Sequence, residues 1–521
     1  MSLVRRDRRP VELGAGLAPA RPSRPIRPGE RIHVVGIAGA GASAEAIHAR
    51  AADAIVSGCD PGGPSPYTPA VEAVGIPIAW RHDPSHVTTG RLDRLAVTKA
   101  LTAVQPDHPE LEAARSAGVP LEPWQQLVAD AAHGQTLIAV SGTHGKSTTS
   151  GWLTWLLAEA GQDPSAFVGA LLPAALSNGR PATARIGAGA AFVVEADEYA
   201  GNFDAYFPNV VAVTTVEWDH PDVFPDRAAV LDAFAAWIQR VPNATAIANL
   251  DDPGVVELFG RLHREASLTG PVIGVSVVGG DPGRAAGVEP AELWVDRRVT
   301  GTIVETTPEA ISLDVNGIAE TSRRVQIHAA GTHNVANALV ALVAAAAVAP
   351  RADAEAADRL LWAVGTFPGV GRRLERKGEA RGVVVYDDYG HHPTAIRATL
   401  QALRQREPER RVWAVYEPLT FHRTAAMLDE FADALAEADA VAVADIWASR
   451  DPDTSITSSE ALATAVRKLR SGMTAVAPGS VEATAGWLAD HVAEGDAVLV
   501  MGGGKSYRIA ELLLEHLSGD R

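Results

Sequence analysis

The chain has 521 residues, of which 47% are hydrophobic and 21% are charged, and its formal net charge is −17. Because this length exceeds what one hydrophobic core can organise, we expect about three domains. The negative charge excludes a general nucleic-acid-binding surface, so an anionic substrate must be bound by local clusters of cations.

Residues 1–30 are basic and proline-containing, with almost no hydrophobic periodicity. We expect a disordered tail here, and a basic arm for an anionic partner stays open as the alternative. No apolar stretch follows the arginines, so they do not form a secretion signal. The apolar segment 335–350 is too short to span a bilayer and predicts a buried helix. Cys59 is the only cysteine, which excludes an intrachain disulfide and a cysteine-cluster metal site and fits a reduced, cytoplasmic compartment. Because no segment is predicted to span a bilayer, we expect no membrane partner.

The predicted N-terminal domain, residues 31–134, begins with a strand, a glycine-rich turn and a helix. Gly36, Gly39 and Gly41 lie in the turn, and Asp60 follows the next predicted strand. This βαβ pattern is Rossmann-like, and such a turn with its helix N-terminus binds the phosphates of a nucleotide. These residues leave open whether the nucleotide is a redox dinucleotide or another one, such as a UDP-sugar.

A second phosphate-binding pattern opens the predicted central domain, residues 135–364, after a short apolar strand. The turn and first helical residues are Gly142, Thr143, Gly145, Lys146, Ser147 and Thr148. Backbone N–H groups of such a turn hold phosphate oxygens, a lysine adds positive charge, and a serine or threonine hydroxyl can bind Mg²⁺. The pattern therefore predicts a nucleoside-triphosphate site, the alternative being a glycine turn with a solvated lysine.

Acidic residues follow two later predicted strands of the central domain. Glu195, Asp197 and Glu198 end the strand 191–196. Parallel sheets place ligands at this edge, where a carboxylate facing Ser147 can complete a Mg²⁺ site. Asp219 and His220 end the next strand and suggest a ligand for a second ion. Solvated loop acids and a structural histidine are the alternatives.

The remaining predicted elements alternate between strands and helices, apart from an antiparallel excursion over 291–327. Central helices are expected at 227–240, 333–348 and 354–363. The predicted third domain, 365–521, has strands at 382–386, 412–415, 440–443, 474–476 and 497–500. Alternating strands and helices indicate a doubly wound α/β fold for this domain as well.

Three groups of polar residues accompany these elements. Asn334 and Asn337 lie three residues apart at a helix start, where their amides can pair with an adenine edge or simply cap the helix. Arg373 follows a glycine turn at the predicted domain junction, and arginine forks suit phosphate. The polar stretch after strand 382–386 includes Asp388, Tyr389, His391 and His392, and we expect it to face the nucleotide.

The order of these motifs resembles the Mur ligase family over residues 32–515. The motifs are Gly-Thr-His-Gly-Lys-Ser (142–147), Glu-Ala-Asp-Glu (195–198), Asp-His (219–220), His-Asn-Val-Ala-Asn-Ala (333–338), Gly-Val-Gly-Arg-Arg (369–373) and Asp-Asp-Tyr-Gly-His-His-Pro-Thr (387–394). The resemblance implies three domains: a Rossmann-like N-terminal domain, a central P-loop ATPase-like α/β domain with a small antiparallel excursion, and a C-terminal Rossmann-like α/β domain. It also favours the UDP-sugar over the redox dinucleotide at the N-terminal turn.

The resemblance further implies an ATP-dependent amide ligase of peptidoglycan precursor synthesis that uses Mg²⁺. ATP would phosphorylate the lactyl carboxylate of UDP-N-acetylmuramate, and the amine of an amino acid, with L-alanine as the implied one, would attack the acyl phosphate. A carboxylate is a poor acyl donor until its oxygen becomes a phosphate leaving group, which accounts for the need for ATP.

Residue roles are also implied by the resemblance. The implied catalytic residues are Lys146, Glu195, His220, Arg373 and Asp388. The implied metal ligands are Ser147 and Glu195 for one Mg²⁺ and His220 for a second ion. The implied ATP contacts are Gly142, Thr143, Gly145, Lys146, Ser147, Thr148 and Arg373, with Asn334 and Asn337 at the adenine. The implied substrate contacts are Gly36, Gly39, Gly41, Asp60, Tyr389, His391 and Arg423.

Two residues depart from the family pattern. Leu419 stands where the family usually has a histidine associated with the incoming amino acid, and His422 follows three residues later. Tyr199 replaces a serine and leans toward the related ligase that recycles a muropeptide tripeptide. The alternatives are therefore a recycling ligase, another amine acceptor, or a nucleotide-binding protein without catalysis. The turn Gly502–Ser506 imitates a second phosphate loop, and we interpret it as an ordinary glycine turn.

Overall fold

The computed structural model describes residues 13–279, 295–348, 354–448, 451 and 453–519. They form alternating strands and helices that divide into two compact units. The first unit comprises the chain up to residue 139 together with residues 162–209. The second comprises residues 140–161 together with the chain from residue 210 onward.

The first part of the chain forms a parallel sheet with helices. Its strands are β1 (Arg31–Val35), β2 (Ile55–Cys59), β3 (Ile78–Ala79), β4 (Arg94–Val97) and β5 (Leu121–Pro123). Its helices are α1 (Ala40–Ala51), α2 (Thr68–Ala73), α3 (Ser85–Thr88), α4 (Lys99–Val104), α5 (Pro109–Ala117) and α6 (Trp124–Ala131). The strand order is β3-β2-β1-β4-β5, with parallel neighbours throughout. The order reverses at β1, and ligands bind at such a switch point.

The middle of the chain contributes to both units. Its strands are β6 (Thr136–Ser141), β7 (Ser165–Leu172), β8 (Ala182–Arg185), β9 (Ala191–Ala196), β10 (Val210–Val213), β11 (Thr245–Asn249), β12 (Val272–Val278), β13 (Arg297–Thr306), β14 (Ile311–Asn316) and β15 (Arg323–Ile327). Its helices are α7 (Lys146–Glu159), α8 (Arg227–Ile238), α9 (Pro253–Arg264), α10 (Thr332–Val348) and α11 (Ala354–Ala363). The first unit holds the run β9-β7-β8, and the second unit holds β15-β14-β13-β12-β11-β10. Strands β13, β14 and β15 pair antiparallel, which confirms the predicted excursion.

The last part of the chain forms a six-stranded sheet in the second unit. Its strands are β16 (Glu375–Ala380), β17 (Val383–Asp388), β18 (Arg411–Glu417), β19 (Ala440–Ala444), β20 (Thr474–Gly479) and β21 (Asp496–Gly502). Its helices are α12 (Pro393–Arg406), α13 (Phe421–Ala426), α14 (Leu428–Leu435), α15 (Ser459–Leu469), α16 (Val481–His491) and α17 (Tyr507–Ser518). The order is β16-β17-β21-β18-β19-β20, and only the β16–β17 pair is antiparallel among these described strands.

Helix α10 is the buried helix of the second unit. Every residue from Val335 to Ala345 is buried, as the sequence predicts, because a helix that is apolar on all sides must be enclosed by other elements. It packs against α7. On α7, Trp152 is fully buried, and its indole N–H donates to the carbonyl oxygen of Val364 across 2.9 Å. These contacts fix the helix that carries the predicted phosphate loop.

The predicted α/β fold is confirmed, and the boundaries of the three predicted domains stay predictions. Residues 13–30 differ from the predicted disordered tail, because they contact the N-terminal sheet. The guanidinium of Arg21 donates to Asp130 and Glu122 across 2.9 Å each, and Ala18 N donates to Leu121 O across 2.7 Å. Residues 1–12 lie outside the described residues. Within the described part of the chain, no helix is both long and apolar enough to cross a bilayer.

Candidate nucleotide and substrate sites

The predicted phosphate loop connects β6 to α7 and contains two glycines that no other residue can replace without strain. Gly142 has a φ of +136° and Gly145 a φ of +81°, in the region that favours glycine. A Cβ atom at Gly142 would lie 2.2 Å from Thr214 Oγ1, and one at Gly145 would lie 2.4 Å from Asn337 Oδ1. The loop is therefore a tight backbone cradle at the N-terminus of α7, as a phosphate requires.

The segment after β10 holds this loop in place. Thr143 N donates to Thr215 O across 2.9 Å, and His144 N donates to Thr215 Oγ1 across 2.8 Å. Glu217 N donates to Thr143 Oγ1 across 2.9 Å. Neither Thr215 nor Glu217 was predicted from the sequence, although both lie in the same stretch as Asp219 and His220. Their position directly after a strand end was the available signal.

Two cations lie at the loop. Lys146 Nζ donates to Gly142 O across 2.5 Å, which keeps the ammonium group over the turn. Arg373 Nη2 donates to Ser147 Oγ across 2.9 Å. The structure thus brings Lys146, Ser147 and Arg373 together, and their charges provide the local cations that a negatively charged chain needs for an anionic ligand.

The two neighbouring arginines have different surroundings. Arg372 Nε lies 2.9 Å from Asp387 Oδ2, and Arg372 Nη2 donates to Ser506 Oγ across 2.7 Å. Asp387 is fully buried, so this ion pair is part of the C-terminal sheet. The family resemblance implies a phosphate contact for Arg373 and none for Arg372, and Arg373 is the arginine that contacts Ser147 at the phosphate loop.

Asp388 ends β17 and braces the turn that carries Arg373. It accepts hydrogen bonds from Leu374 N across 2.7 Å and from Gly390 N across 2.6 Å. Burial raises the pKa of Asp388, while Arg373 and these N–H groups oppose the rise. Asp388 can therefore hold the turn in register with the phosphate loop.

A cavity of about 460 Å³ adjoins the loop in the second unit, within the usual range for a small-molecule site. Asn334 Nδ2 donates to Ala330 O across 2.8 Å, and Asn337 Nδ2 donates to Asn334 Oδ1 across 3.3 Å. The predicted site residues that line this cavity are Gly145, Thr148, Asn334, Asn337, Arg373 and Asp388. The cavity thus combines a phosphate cradle with amide groups and apolar walls such as Phe367.

A histidine and carboxylate cluster lies beside the loop. His144 Nε2 is 3.0 Å from Glu217 Oε2, and His392 Nδ1 is 3.8 Å from the same oxygen. Burial would raise the pKa of Glu217, but His144 and other neighbours hold it at about 2. Burial lowers the pKa of His392 to about 4, so its ring is neutral at pH 7. The cluster connects the phosphate loop to the start of α12.

Arg423 lies in a buried polar group with the predicted second-ion ligand. Its Nη2 is 2.8 Å from Asp219 Oδ1 and 2.9 Å from His220 Nδ1. Burial would raise the pKa of Asp219, but His220 and Arg423 hold it well below its usual range. The bond from Arg423 uses the Nδ1 lone pair of His220. Metal binding by His220 and substrate binding by Arg423 stay predictions.

The other predicted residues of this region lie nearby in the chain. Tyr389 stacks under both arginines of the turn, with its ring centre 5.3 Å from the Arg373 guanidinium carbon. His391 Nδ1 lies 3.0 Å from Tyr389 O, and burial lowers the pKa of His391 well below its usual value. His422 pairs with Asp451, its Nδ1 3.1 Å from Asp451 Oδ1. Substrate roles for Tyr389 and His391 stay predictions.

The turn at 502–506 encloses a carboxylate of the protein itself. A Cβ atom at Gly504 would lie 2.8 Å from Glu417 Oε2. Burial raises the pKa of Glu417 to about 7, and backbone hydrogen bonds from Ser506 and Lys505 oppose the rise. Because a side-chain carboxylate already faces these N–H groups, the geometry favours the interpretation as a structural turn.

In the first unit, the glycine-rich turn after β1 is held by the end of β2. Gly36 has a φ of +80°, and its N–H donates to Cys59 O across 2.8 Å. Asp60 Oδ2 accepts from Ala38 N across 3.2 Å. A Cβ atom at Gly41 would lie 2.3 Å from the Trp124 ring. The turn, with Gly39 at the start of α1, leaves the helix N-terminus positioned at the sheet's switch point.

Glu195 also belongs to the first unit. Its Oε2 accepts a hydrogen bond from Gly169 N across 2.6 Å. Asp197 Oδ2 accepts from Asn202 Nδ2 across 3.0 Å. Ser147 and His220 belong to the second unit, so the metal-ligand set of Ser147, Glu195 and His220 stays a prediction.

Three family models match successive parts of the chain. Residues 31–136 match the Mur ligase family, catalytic domain. Residues 140–345 match the Mur ligase middle domain, and residues 372–504 match the Mur ligase, glutamate ligase domain.

Curated proteins and solved structures are similar over nearly the whole chain. A protein of Kineococcus radiotolerans named UDP-N-acetylmuramate–L-alanine ligase is 38% identical and covers 91% of this chain and 93% of its own length. One of the same name from Frankia casuarinae is 36% identical, over 81% of this chain and 84% of its own. The crystal structure of UDP-N-acetylmuramate-alanine ligase from Thermotoga maritima has a TM-score of 0.72 at 23% identity and covers 94% of this chain and 100% of that one. This likeness shows a shared three-domain α/β fold.

Proposed function

The chain belongs to the Mur ligase family, as the motifs predict, and from this premise we propose that it joins L-alanine to UDP-N-acetylmuramate. The amide would form at the lactyl carboxylate of the sugar, with ATP as the second substrate. The named relatives above support this choice of substrates. We also propose the predicted domain boundaries, 31–134, 135–364 and 365–521, and a cytoplasmic location where ATP is available.

The main support for catalysis, as opposed to nucleotide binding alone, is the hydrogen bond from Arg373 to Ser147. It places a guanidinium at the N-terminus of α7, beside Lys146 and the glycine cradle. Phosphoryl transfer relies on positioning and on cations that neutralise developing charge. A protein that only bound nucleotide would need the cradle but not a second cation at the transferring group.

In the proposed reaction, a carboxylate oxygen of the sugar attacks the γ-phosphorus of ATP. The bond from that phosphorus to the β–γ bridging oxygen breaks, which gives an acyl phosphate and ADP. The amine nitrogen of L-alanine then attacks the acyl carbon, the carbon–oxygen bond to phosphate breaks, and the amine loses its proton. Lys146 and Arg373 would neutralise the phosphoryl oxygens, while Asp388 keeps the arginine turn in place.

Mg²⁺ fits the donor set of this family member. The buried Ser147 hydroxyl and the carboxylate Glu195 are hard oxygen ligands of the kind that Mg²⁺ prefers, and His220 would serve a second ion. Bound Mg²⁺ would supply charge neutralisation for the phosphate oxygens. The adenosine would occupy the 460 Å³ cavity against Asn334 and Asn337.

The UDP part of the sugar substrate would bind at the turn after β1. Gly36, Gly39 and Gly41 bring the backbone and the N-terminus of α1 close to a diphosphate. Asp60 holds the turn through Ala38 N. Tyr389, His391 and Arg423 would contact the substrates from the C-terminal sheet.

A recycling ligase for a muropeptide tripeptide is the second candidate, and Tyr199 favours it. Tyr199 follows the Glu-Ala-Asp-Glu motif, and Leu419 replaces the usual histidine near the incoming amine. Leu419 packs near the 502–506 turn, since a Cβ atom at Gly503 would lie 3.0 Å from Leu419 Cδ2. This apolar contact gives no hydrogen-bonding group for an amino acid at that position.

The test is phosphate release from Mg²⁺-ATP with UDP-N-acetylmuramate, measured against L-amino acids and the tripeptide L-Ala-γ-D-Glu-diaminopimelate. Release that requires both the sugar and L-alanine is the expected result. Release with the tripeptide alone would move the assignment to the recycling ligase. Tight ATP binding with no release for any amine would contradict the catalytic proposal.

A further inference from the structure

The first unit contains a second cluster of chemically reactive side chains, around the lone cysteine. His33 lies on β1, Cys59 ends β2, His86 lies on α3 and Glu110 lies on α5. One donor atom from each of the four residues lies within 4.8 Å of the others. Four separate elements therefore direct an imidazole, a thiol, a second imidazole and a carboxylate at one point.

Three donor atoms of the cluster lie at distances from Glu110 that are near those between the ligands of a metal ion. Cys59 Sγ lies 3.2 Å from Glu110 Oε2, His86 Nδ1 lies 2.9 Å from Glu110 Oε1, and His33 Nε2 lies 3.5 Å from Glu110 Oε2. Around a tetrahedral zinc ion, sulfur, nitrogen and oxygen ligands are separated by roughly 3.3–3.6 Å, given the usual zinc–ligand bond lengths. The two shorter contacts, from His86 and Cys59 to Glu110, would lengthen by a few tenths of an ångström to accommodate an ion.

Burial supplies an independent observation. Cys59 and Glu110 are 0% exposed and His33 is 2% exposed. Although His33 Nε2 is enclosed and aimed into the cluster, it has no hydrogen-bond partner. Its other nitrogen, Nδ1, lies 2.8 Å from Ser57 Oγ. A proton on Nδ1, donated to Ser57, leaves the Nε2 lone pair free for a metal, which is the usual arrangement of a ligating histidine.

We propose that His33, Cys59, His86 and Glu110 form a zinc site in the first unit. A mixed set of nitrogen, sulfur and oxygen donors suits Zn²⁺, whereas Mg²⁺ and Ca²⁺ require oxygen ligands. The site differs from the cysteine-cluster sites that the sequence excludes, because it uses one thiolate. His82 Nδ1, which lies 3.3 Å from Cys59 Sγ, would stand at the edge of this shell.

Binding replaces a proton by the metal. The Cys59 thiol donates a hydrogen bond to Glu110 Oε2 across 3.2 Å, so it carries the proton that the ion would displace. The exchange is Cys–SH plus Zn²⁺ giving the zinc thiolate plus H⁺. The ion would also neutralise the Glu110 carboxylate, which now accepts hydrogen bonds from Asp83 N and Cys59.

The ion would hold four elements at the predicted substrate turn. Cys59 O already accepts the N–H of Gly36, and Asp60 follows directly in the chain. A zinc ion on Cys59 would fix the end of β2 against α3 and α5, and through it the turn. Its role is structural, and it does not depend on which substrate the enzyme uses.

Cobalt binding to the full-length protein tests this proposal. After removal of metal with a chelator, the protein is titrated with Co²⁺ and its absorption is recorded. A thiolate-to-cobalt charge-transfer band in the near ultraviolet, saturating at one ion per chain and removed by Zn²⁺, is the expected result. Since Cys59 is the only cysteine, such a band can come from no other residue.

Variants locate the remaining ligands. Cys59→Ser is expected to abolish the band, and His86→Gln is expected to weaken zinc binding by more than ~100-fold. His133→Gln is the matched control, because His133 lies in the same unit and contacts Ser23 instead. X-ray absorption spectroscopy of zinc bound to the unmodified protein tests the proposal even if a variant fails to fold. The expected spectrum shows one sulfur ligand on the zinc ion together with nitrogen and oxygen ligands. Cobalt binding without a charge-transfer band, or absorption without a zinc–sulfur distance, would overturn the proposal and leave a metal-free hydrogen-bonded cluster.

Discussion

Arg373 and Ser147 are joined by a hydrogen bond of 2.9 Å, from Nη2 of the arginine to Oγ of the serine. The bond connects the turn before β16 to the first residues of α7. Ser147 is also the predicted Mg²⁺ ligand, so a guanidinium and a metal ion would share one hydroxyl. We therefore expect the bound metal–nucleotide to draw Arg373 away from Ser147 and onto the phosphate.

The first prediction concerns Lys146. Lys146→Ala removes an ammonium that lies over the glycine turn, and we expect kcat to fall by roughly 10²–10³-fold with the thermal midpoint unchanged. Lys505→Ala is the matched control, since that exposed lysine lies in the look-alike turn filled by Glu417. A loss in Lys505→Ala with none in Lys146→Ala, measured by phosphate release, would show that the two turns had been assigned the wrong way round.

The second prediction separates the neighbouring arginines. Arg372→Ala leaves the buried Asp387 carboxylate without its partner, and we expect the free energy of unfolding to fall by ~3–5 kcal/mol. Arg373→Ala is expected to retain the thermal midpoint and lose ~10²-fold or more in kcat. Calorimetry and phosphate release together make the comparison. A stable, active Arg373→Ala enzyme would contradict the assigned role.

The third prediction concerns the glycine cradle. Gly145→Ala places a Cβ atom 2.4 Å from Asn337 Oδ1 at a φ of +81°, so we expect ATP affinity to fall by at least ~10-fold through distortion of both loop and cavity. Gly486→Ala on α16 is the control. A Cβ atom there meets nothing within 4 Å, and the helix gains ~0.5–1 kcal/mol. Isothermal titration calorimetry with ATP measures the affinity of each variant. An unchanged affinity in Gly145→Ala would show that the added Cβ atom does not disturb the loop, contrary to this prediction.

The fourth prediction is a pH dependence of stability that arises at Glu45 on α1. Both carboxylate oxygens of this buried residue have no hydrogen-bond partner among the described residues. Burial raises the pKa of Glu45 from 4.5 to about 8, Arg94 on β4 opposes the rise, and Glu122 on β5 adds to it. The folded state binds the proton of Glu45 more tightly than the unfolded state does. The stability that this protonation contributes is therefore fully present below pH 4.5 and is lost as the pH rises toward 8.

Glu45→Gln removes this titration. We expect this substitution to raise the thermal midpoint more at pH 8 than at pH 5.5. The gain in the free energy of unfolding is expected to be up to ~3 kcal/mol larger at pH 8 than at pH 5.5. Glu515→Gln, an exposed position on α17, serves as the control and should shift neither midpoint. A gain for Glu45→Gln that is the same at both pH values would mean that packing, and not ionisation, was responsible.

Much of the fold could be predicted because buried parallel strands are short apolar runs. The strand Ala191–Ala196 was predicted at its observed limits. Strand β7, Ser165–Leu172, was not predicted, since its sequence Ser-Ala-Phe-Val-Gly-Ala-Leu-Leu has no period that separates a strand from a helix. The tail contacts of Arg21 depend on Glu122 and Asp130, which lie a hundred residues away and leave no local signal.

The candidate site was predicted where chemistry is concentrated in motifs. The loop glycines, Lys146 and Ser147 follow from one short segment, and the structure gathers them with Arg373. The family resemblance selected Arg373, but it gave no role for Arg372, because the ion pair of Arg372 depends on where Asp387 and Ser506 lie. The proposed zinc site likewise combines His33, Cys59, His86 and Glu110, which are spread over 78 residues and share no spacing rule.

The first compact unit is discontinuous in the chain, because residues 140–161 leave it and residues 162–209 return to it. A ribosome must therefore synthesise the whole phosphate-loop helix before the strands β7, β8 and β9 can complete the first unit. Domains fold as units during synthesis, so this unit cannot finish folding until residue 209 has emerged. An N-terminal fragment cut at residue 139 would lack three strands, and separate expression of the first unit requires a linker in place of residues 140–161.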